Sequence, residues 1–451
     1  MRTRLFLLIT SPLLLASGCA SIGDPPDYSG TASELSAGVE PWQAQELTAP
    51  VASLHDLLPS PELRALVDEA LSNNPGLQQT LLTLEQSRYA LDQSRGERYP
   101  ELDAGYSAGR SEDTDTQYTG SVTLSWQLDL WQQIEDGVRA SEQSLLEQQA
   151  TLQAARDTLA AEVMKSWLSL ISARHTLDIE QRRLATLELN ETLIMQRYQR
   201  GLGSLEDLDS ARSSTFSSRA TVREQEQTIE QQQRALNTLL GRLNDDSHPL
   251  PDQYPEIPQA LADLPEQTLA RRPDLQAAWH AIESARYNAR VTYKDMLPGI
   301  NLQAALEDVA SNPSGALLND PVWSLLGQLT APLFQGGKLK AAAQIAELDA
   351  AIQFQNYRET LLTAVEEVRN ALAREKELAD RQSFIAAALA SQQLTLERYQ
   401  DKYRAGNATI LELLSVQQQT YDLESQLDSL IYNRLDNRIT LALALGLGAN
   451  Q

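Results

Sequence analysis

The chain has 451 residues, 61 acidic against 37 basic, with a formal net charge of −24 at pH 7. That balance argues against nucleic acid as a partner, because phosphate binding depends on clustered Lys and Arg. Cys19 is the single cysteine, so no disulfide forms within the chain and stability rests on packing.

Residues 1–18 read as a signal peptide. Arg2 and Arg4 form a positive start, and Leu5 to Ala16 is an apolar stretch too short to span a bilayer. The stretch ends Ala16-Ser17-Gly18-Cys19, which resembles the lipobox of bacterial lipoproteins. The resemblance implies cleavage before Cys19 and a covalent lipid on it. Ala20 is not the Asp that retains many such proteins at the inner membrane, so the resemblance implies the outer membrane. Removal of Arg2 and Arg4 takes the net charge from −24 to −26. Residues 19–60 are rich in Ser, Pro and Gly without sustained periodicity and read as an extended arm from the anchor.

The rest of the chain says nearly the same thing twice. Leu71, Pro75, Gln78, Arg88, Tyr89 and Pro100 recur 198 residues on as Leu269, Pro273, Gln276, Arg286, Tyr287 and Pro298. Tyr198, Gly201, Leu208 and Gly241 recur 205 residues on as Tyr403, Gly406, Leu413 and Gly446. Repeat one covers 61–248 and repeat two 266–448. A Pro-rich linker, 249–265, joins them, and 449–451 is a tail. Each half therefore builds one architecture.

Each repeat opens with helix. In the first, Asn74-Pro75 supplies a cap and a proline at the first helical position; Pro100 and Pro298 stop the helices. Two alternating strands follow, at about 101–129 and 299–333. Leu102, Ala104, Tyr106 and Ala108 share a face, as do Val122, Leu124, Trp126 and Leu128. Ile300, Leu302, Ala304 and Leu306, then Trp323, Leu325, Leu329 and Leu333, repeat the pattern. Long α-hairpins come next, at about 135–242 and 338–446. Their first arms lack proline and span about 100 Å at ~1.5 Å per residue. Val138, Leu145, Leu152 and Leu159 step by heptads; Ala341, Ile345, Leu348 and Ile352 step by four, three and four.

Strands of about ten residues suit a membrane, but about eight strands are needed to close a barrel. Either the four strands pack on a soluble core, or several chains close one barrel. No apolar run of transmembrane length follows Gly18, so the long helices stand in water. His55, His175, His248 and His280 lack metal-ligand spacing, and His175 and His280 read as surface or packing residues. No phosphate loop and no nucleophile with a base is present, which speaks against an enzyme.

The lipobox, the Asn74-Pro75 and Arg272-Pro273 openings, Asp129-Leu130-Trp131 against Pro332-Leu333-Phe334-Gln335-Gly336-Gly337, and the paired Tyr-x-x-Gly tips together resemble the outer membrane factor family, the TolC/OprM group with its NodT-like lipoproteins. The resemblance covers almost the whole mature chain. It implies a mainly α fold with a small β part: a homotrimer with a twelve-stranded outer-membrane β-barrel continued by a periplasmic α-helical tunnel. It also implies a passive exit duct for drugs or other small molecules, with a periplasmic adaptor and an inner-membrane pump as partners and no cofactor beyond the lipid on Cys19. Type I secretion, or a lipid-anchored structural tether, is the rival reading.

The tips carry the site residues. Gly201, Gly203 and Gly406 supply the turns and, by the resemblance, the adaptor contact. The resemblance assigns a periplasmic gate to Asp207 and Glu412, with Glu206, Asp209, Tyr198 and Tyr403 beside them. Relatives often carry a basic residue where this chain has Ala408; Arg200 and Arg404 lie nearby. Ser204-x-x-Asp207 and Thr409-x-x-Glu412 also have capping-box spacing. Capping and gating are compatible roles.

Overall fold

The computed structural model describes residues 26–39, 53–112, 114–244, 250–256 and 269–449. Cys19, His248, most of the linker and the last two residues lie outside them.

Nine helices and four strands follow one another among the described residues. They are α1 Tyr28–Ala37, α2 Leu54–Leu57, α3 Pro61–Asn73, α4 Pro75–Gly96, β1 Glu101–Ser111, β2 Thr114–Leu128, α5 Gln133–Gln199 and α6 Leu205–Leu239. The second half adds α7 Pro273–Lys294, β3 Gly299–Ala310, β4 Val322–Thr330, α8 Lys338–Arg404 and α9 Ile410–Ala444. The two halves match in length: α5 and α8 each have 67 residues, α6 and α9 each 35.

The chain divides into two compact units. One comprises 1–35, 90–144 and 279–357; the other comprises 36–89, 145–278 and 358–451. The first holds an antiparallel sheet ordered β1-β2-β3-β4. Its register gathers the alternating residues into rows, for example Leu102 beside Leu124, Ala304 and Leu325, and Ala104 beside Val122, Leu306 and Trp323. Paired residues point to the same side, so these rows form one continuous apolar face. The opposite face carries Asp103, Thr123 and Ser324 in one row and Gln127, Asn301 and Gln328 in another. Ala305, Val322 and Leu326 interrupt its polarity. β1 and β4 are exposed throughout and end the sheet with unpaired edges.

Side-chain caps set the sheet-to-helix junctions in this unit. Asp129 accepts from the backbone N–H groups of Ile134 and Glu135 at 3.1 and 2.9 Å, opening α5. Trp131 Nε1 donates to the Pro298 carbonyl at 2.7 Å, and Lys294 pairs with buried Asp136 at 2.5 Å. The segment read as an extended arm departs from that expectation where it is described. It forms α1 because Asp27 accepts from Gly30 N at 3.1 Å, and it is docked: Tyr28 stacks on Phe354 at 5.3 Å and Asp27 pairs with Arg286 at 3.3 Å. A single ten-residue helix anchored by ring and charge contacts leaves little periodicity to read.

The second unit holds the main core. Val163, Met164, Trp167, Leu168 and Ile171 of α5 meet Leu66 and Val67 of α3, Leu236 of α6, Val368 of α8 and Leu435, Ile439 and Leu441 of α9. Each buried aliphatic or aromatic side chain stabilises this packing by about 1.5–3 kcal/mol. The part of α8 that lies in the first unit behaves otherwise: Ile345, Leu348 and Ile352 are all more than half exposed in the single chain. No described helix is long and apolar enough to cross a membrane.

Candidate functional site: the hairpin tips

Both hairpins turn with the same chemistry. At the end of α5, Gly201 N donates to Tyr198 O at 2.9 Å and Leu202 N to Arg197 O at 2.8 Å. At the end of α8, Gly406 N donates to Tyr403 O at 3.0 Å and Asn407 N to Lys402 O at 2.8 Å. This paired pattern is a Schellman motif, and it needs a left-handed residue at the turn. Gly201 at φ +73° and Gly406 at φ +75° supply it.

The returning helices open with capping boxes. Asp207 N donates to Ser204 Oγ at 3.0 Å, and Ser204 N donates to Asp207 Oδ2 at 3.4 Å. Glu412 N donates to Thr409 Oγ1 at 3.2 Å; Thr409 N and Oγ1 donate to Glu412 Oε2 at 2.7 and 2.8 Å. The Thr409 amide and hydroxyl, with Lys402 nearby, hold the Glu412 carboxyl below its ordinary value. Within one chain, then, both central gate candidates are engaged as caps.

An apolar cluster links the two tips. Leu208 and Ala211 of α6 pack with Leu187 and Ile194 of α5 and with Ile410, Leu413 and Leu414 of α9. Tyr403 lies partly buried against this cluster, whereas Tyr198 is 40% exposed, so the two tyrosines occupy unlike settings. Glu206 and Asp209 are exposed, as are Gly201, Gly406 and Arg200, while Gly203 is half-buried. Arg404 pairs with Asp401 at 3.1 Å.

Above the tips, polar contacts lace the hairpins. Arg219 of α6 grips Glu188 of α5 through two nitrogens at 3.0 and 2.8 Å. Arg183 reaches Asp422 and Arg182 reaches Glu424, and both guanidiniums lie within 6 Å of the Tyr421 ring centre. Farther along, His175 is more than a packing residue. Its Nδ1 is 2.8 Å from Asp428 Oδ1 and its Nε2 is 2.9 Å from the Asp252 carbonyl. Tyr254 donates to Asp428 at 3.0 Å and meets the imidazole edge-on at 4.6 Å. Burial raises the Asp428 carboxyl above its ordinary value against the opposing pull of these hydrogen bonds. His175 and Asp428 are 253 residues apart, so spacing gave no sign of this contact. The one available signal was Tyr254, the sole aromatic residue of the Pro-rich linker.

These groups flank an open cavity of about 500 Å³ lined by Arg174, Asp178, Arg182 and Glu424 among others. Among the described residues no three His, Cys, Asp or Glu side chains are gathered to hold a metal ion. The tips offer hydrogen-bonded turns, exposed carboxylates and a shared apolar seam. That chemistry suits docking and gating.

The family described as "Outer membrane efflux protein" matches residues 66–242 and 264–447. The probable outer membrane lipoprotein SilC of Salmonella typhimurium is 26% identical, with 99% of each chain covered. The outer membrane protein OprJ of Pseudomonas aeruginosa is 29% identical, covering 91% of this chain and 90% of its own. A crystal structure of a membrane protein from Pseudomonas aeruginosa superposes with a TM-score of 0.82 at 28% identity, over 90% of this chain and 99% of that one.

Proposed function

Since this chain belongs to the outer membrane efflux protein family, and structures like it include outer membrane channels of Campylobacter jejuni and Neisseria gonorrhoeae, we propose that three copies close one barrel and that the hairpin tips form its gated periplasmic entrance. The observation that carries this reading is the sheet. It has one continuous apolar face, one largely polar face and two unpaired edges. In lipid each unpaired backbone group costs several kcal/mol, so the β4 edge of one copy must meet the β1 edge of the next. Three copies of a four-stranded sheet give twelve strands, with the polar face lining a water-filled lumen. The exposed Ile345, Leu348 and Ile352 then find their partners on a neighbouring copy.

The duct conducts passively and needs no cofactor. Cys19 carries the lipid that holds it at the membrane, a reading supported by a relative named as a lipoprotein. A periplasmic adaptor grips the tips at Gly201, Gly203 and Gly406, and an inner-membrane pump supplies the energy. Asp207 and Glu412, with Glu206 and Asp209, ring the entrance. Like charges crowded on a threefold axis attract cations. Tyr198 and Tyr403 tie neighbouring helices.

Electron microscopy of the mature protein in mild detergent tests the assembly: threefold particles support it and monomers sink it. For the gate, Asp207→Asn with Glu412→Gln keeps capping acceptors but removes charge. Higher single-channel conductance and greater vancomycin uptake are expected. If both stay at the level of the unaltered protein, these carboxylates are caps and nothing more.

A further inference from the structure

The connection between β3 and β4, residues 311–321, lies against the sheet on one definite side. Tyr106, Gly120 and Asp308 pair directly across β1, β2 and β3, so they share a face. That face is the apolar one, because Val122 and Leu306 stand two residues further along the same strands. Three contacts bring the connection onto it. Tyr106 donates its hydroxyl to the Pro313 carbonyl at 3.0 Å. The Ala316 carbonyl comes within 1.9 Å of where a Cβ at Gly120 would sit, so only glycine admits it. Asp308 accepts from the backbone N–H groups of Asn319 and Asp320 at 2.8 and 3.2 Å.

The result is a charge hidden in plain view. Asp308 stands on an apolar face yet is only 7% exposed, roofed by the connection and satisfied by two amides. Ala316 is buried beneath the turn, while Leu317 is 64% exposed on its outer surface. Leu318 at φ +59° holds a left-handed conformation that a bulky side chain rarely adopts. Tyr106 and Tyr118 neighbour each other at 6.4 Å at this end of the face. Tyrosines at the end of an apolar band mark the level where lipid gives way to headgroups.

We propose that residues 311–321 form a collar outside the barrel, seated among the lipid headgroups of the outer leaflet, and not a lid across its mouth. The proposal rests on the reading of the apolar face as the lipid face. Its partner is the polar headgroup layer: Leu317 dips toward the acyl boundary while the Ser, Asn and Asp side chains of the turn meet headgroups and water. The exit is then left unobstructed by this connection.

Three single thiols separate the proposal from the reading beneath it: Leu124→Cys on the apolar face, Thr123→Cys on the polar face and Leu317→Cys on the collar. Each is labelled with bimane, reconstituted into phosphatidylcholine vesicles with or without nitroxide-headgroup lipid, and then compared in planar bilayers after attachment of a bulky maleimide. The unaltered protein, labelled in parallel, gives the background from any copy whose Cys19 is not lipidated. Leu124→Cys is expected to be quenched by nitroxide lipid and to leave conductance unchanged; Thr123→Cys is expected to escape quenching and to lose about half or more of its conductance on modification. If these two do not behave so, the face assignment itself fails. With the two controls in place, Leu317→Cys is expected to follow Leu124→Cys. Conductance loss at Leu317→Cys, or absence of lipid quenching there, overturns the collar.

Discussion

Asn74 and Arg272 do the same work at matching places in the two repeats. Asn74 Nδ2 donates to the Leu239 carbonyl at 2.9 Å, and Arg272 Nη1 donates to the Ala444 carbonyl at 3.0 Å. Each thereby satisfies a carbonyl in the last turn of the helix that returns from the tip. Each also precedes a helix-opening proline. Asn74 caps that helix itself, accepting from Leu77 N at 3.1 Å, whereas in repeat two the neighbouring Asp274 binds Leu275 N.

The two positions differ in what their removal exposes. Asn74→Ala is expected to cost about 1–2 kcal/mol, a cap and one hydrogen bond. Arg272→Ala removes the buried guanidinium with its bond to the Ala444 carbonyl and its pairs to Asp274 and Glu367 at 2.7 and 2.8 Å; water can solvate those partly exposed carboxylates, and the expected cost is about 1.5–3 kcal/mol. Thermal unfolding in detergent checks the order; equal shifts would mean that the ion pairs contribute nothing.

Glycines with the same backbone conformation differ in their surroundings. Gly406 at φ +75° has nothing within 4 Å of an added Cβ, so Gly406→Ala meets only the left-handed penalty, about 1 kcal/mol. At Gly241, φ +73°, a Cβ would lie 2.6 Å from the Asn73 carbonyl oxygen. Gly241→Ala is expected to lower the melting temperature severalfold more than Gly406→Ala.

The Glu412 cap sets a pH dependence for the second tip. Its carboxyl is held below the ordinary 4.5 by the Thr409 amide and hydroxyl. The ionised form is therefore favoured by folding: the contribution is complete above the ordinary value and is lost as pH falls through the lowered one. Hydrogen exchange of the first turn of α9 should accelerate, relative to its intrinsic rate, as pH falls below that ordinary value. Thr409→Ala should abolish that dependence, and if the dependence survives, the box is not its source.

Glu375 joins two guanidiniums. Its Oε1 accepts from Arg434 Nη2 and Arg438 Nη2, each at 2.8 Å, and Arg438 is 3% exposed. Glu375→Ala leaves an uncompensated buried cation, with an expected loss of about 3–5 kcal/mol by chemical denaturation. A double variant, Glu375→Leu with Arg438→Leu, is expected to recover most of it.

The fold was legible where one physical rule acts alone. Strand alternation set Leu102, Leu124 and Leu325 each on the apolar side of its own strand, and the register brings the three into one row. Gly201 and Gly406 announced the turns because a Schellman motif demands a left-handed residue. Ser204 and Thr409 announced the caps by their spacing to Asp207 and Glu412. The docking of α1 was hidden because it depends on Phe354 and Arg286, far away in the chain. The contact of His175 with Asp428 and Tyr254 was hidden for the same reason. The seam through Ile345, Leu348 and Ile352 read correctly as apolar, but periodicity says nothing about whether its partner lies in the same chain.

The unpaired edges of β1 and β4 also govern how this protein reaches its membrane. A lone sheet placed in lipid would face hydrocarbon with two rows of unbonded amides and carbonyls. Each seam that forms removes two rows, yet one, two or three copies joined in an open row still expose two, and only closure of the ring leaves none. Every open form therefore carries the same two-row cost in lipid, which favours ring closure together with insertion. Its rate should rise steeply with the supply of chains, and a subunit able to pair through only one edge should poison the ring it joins.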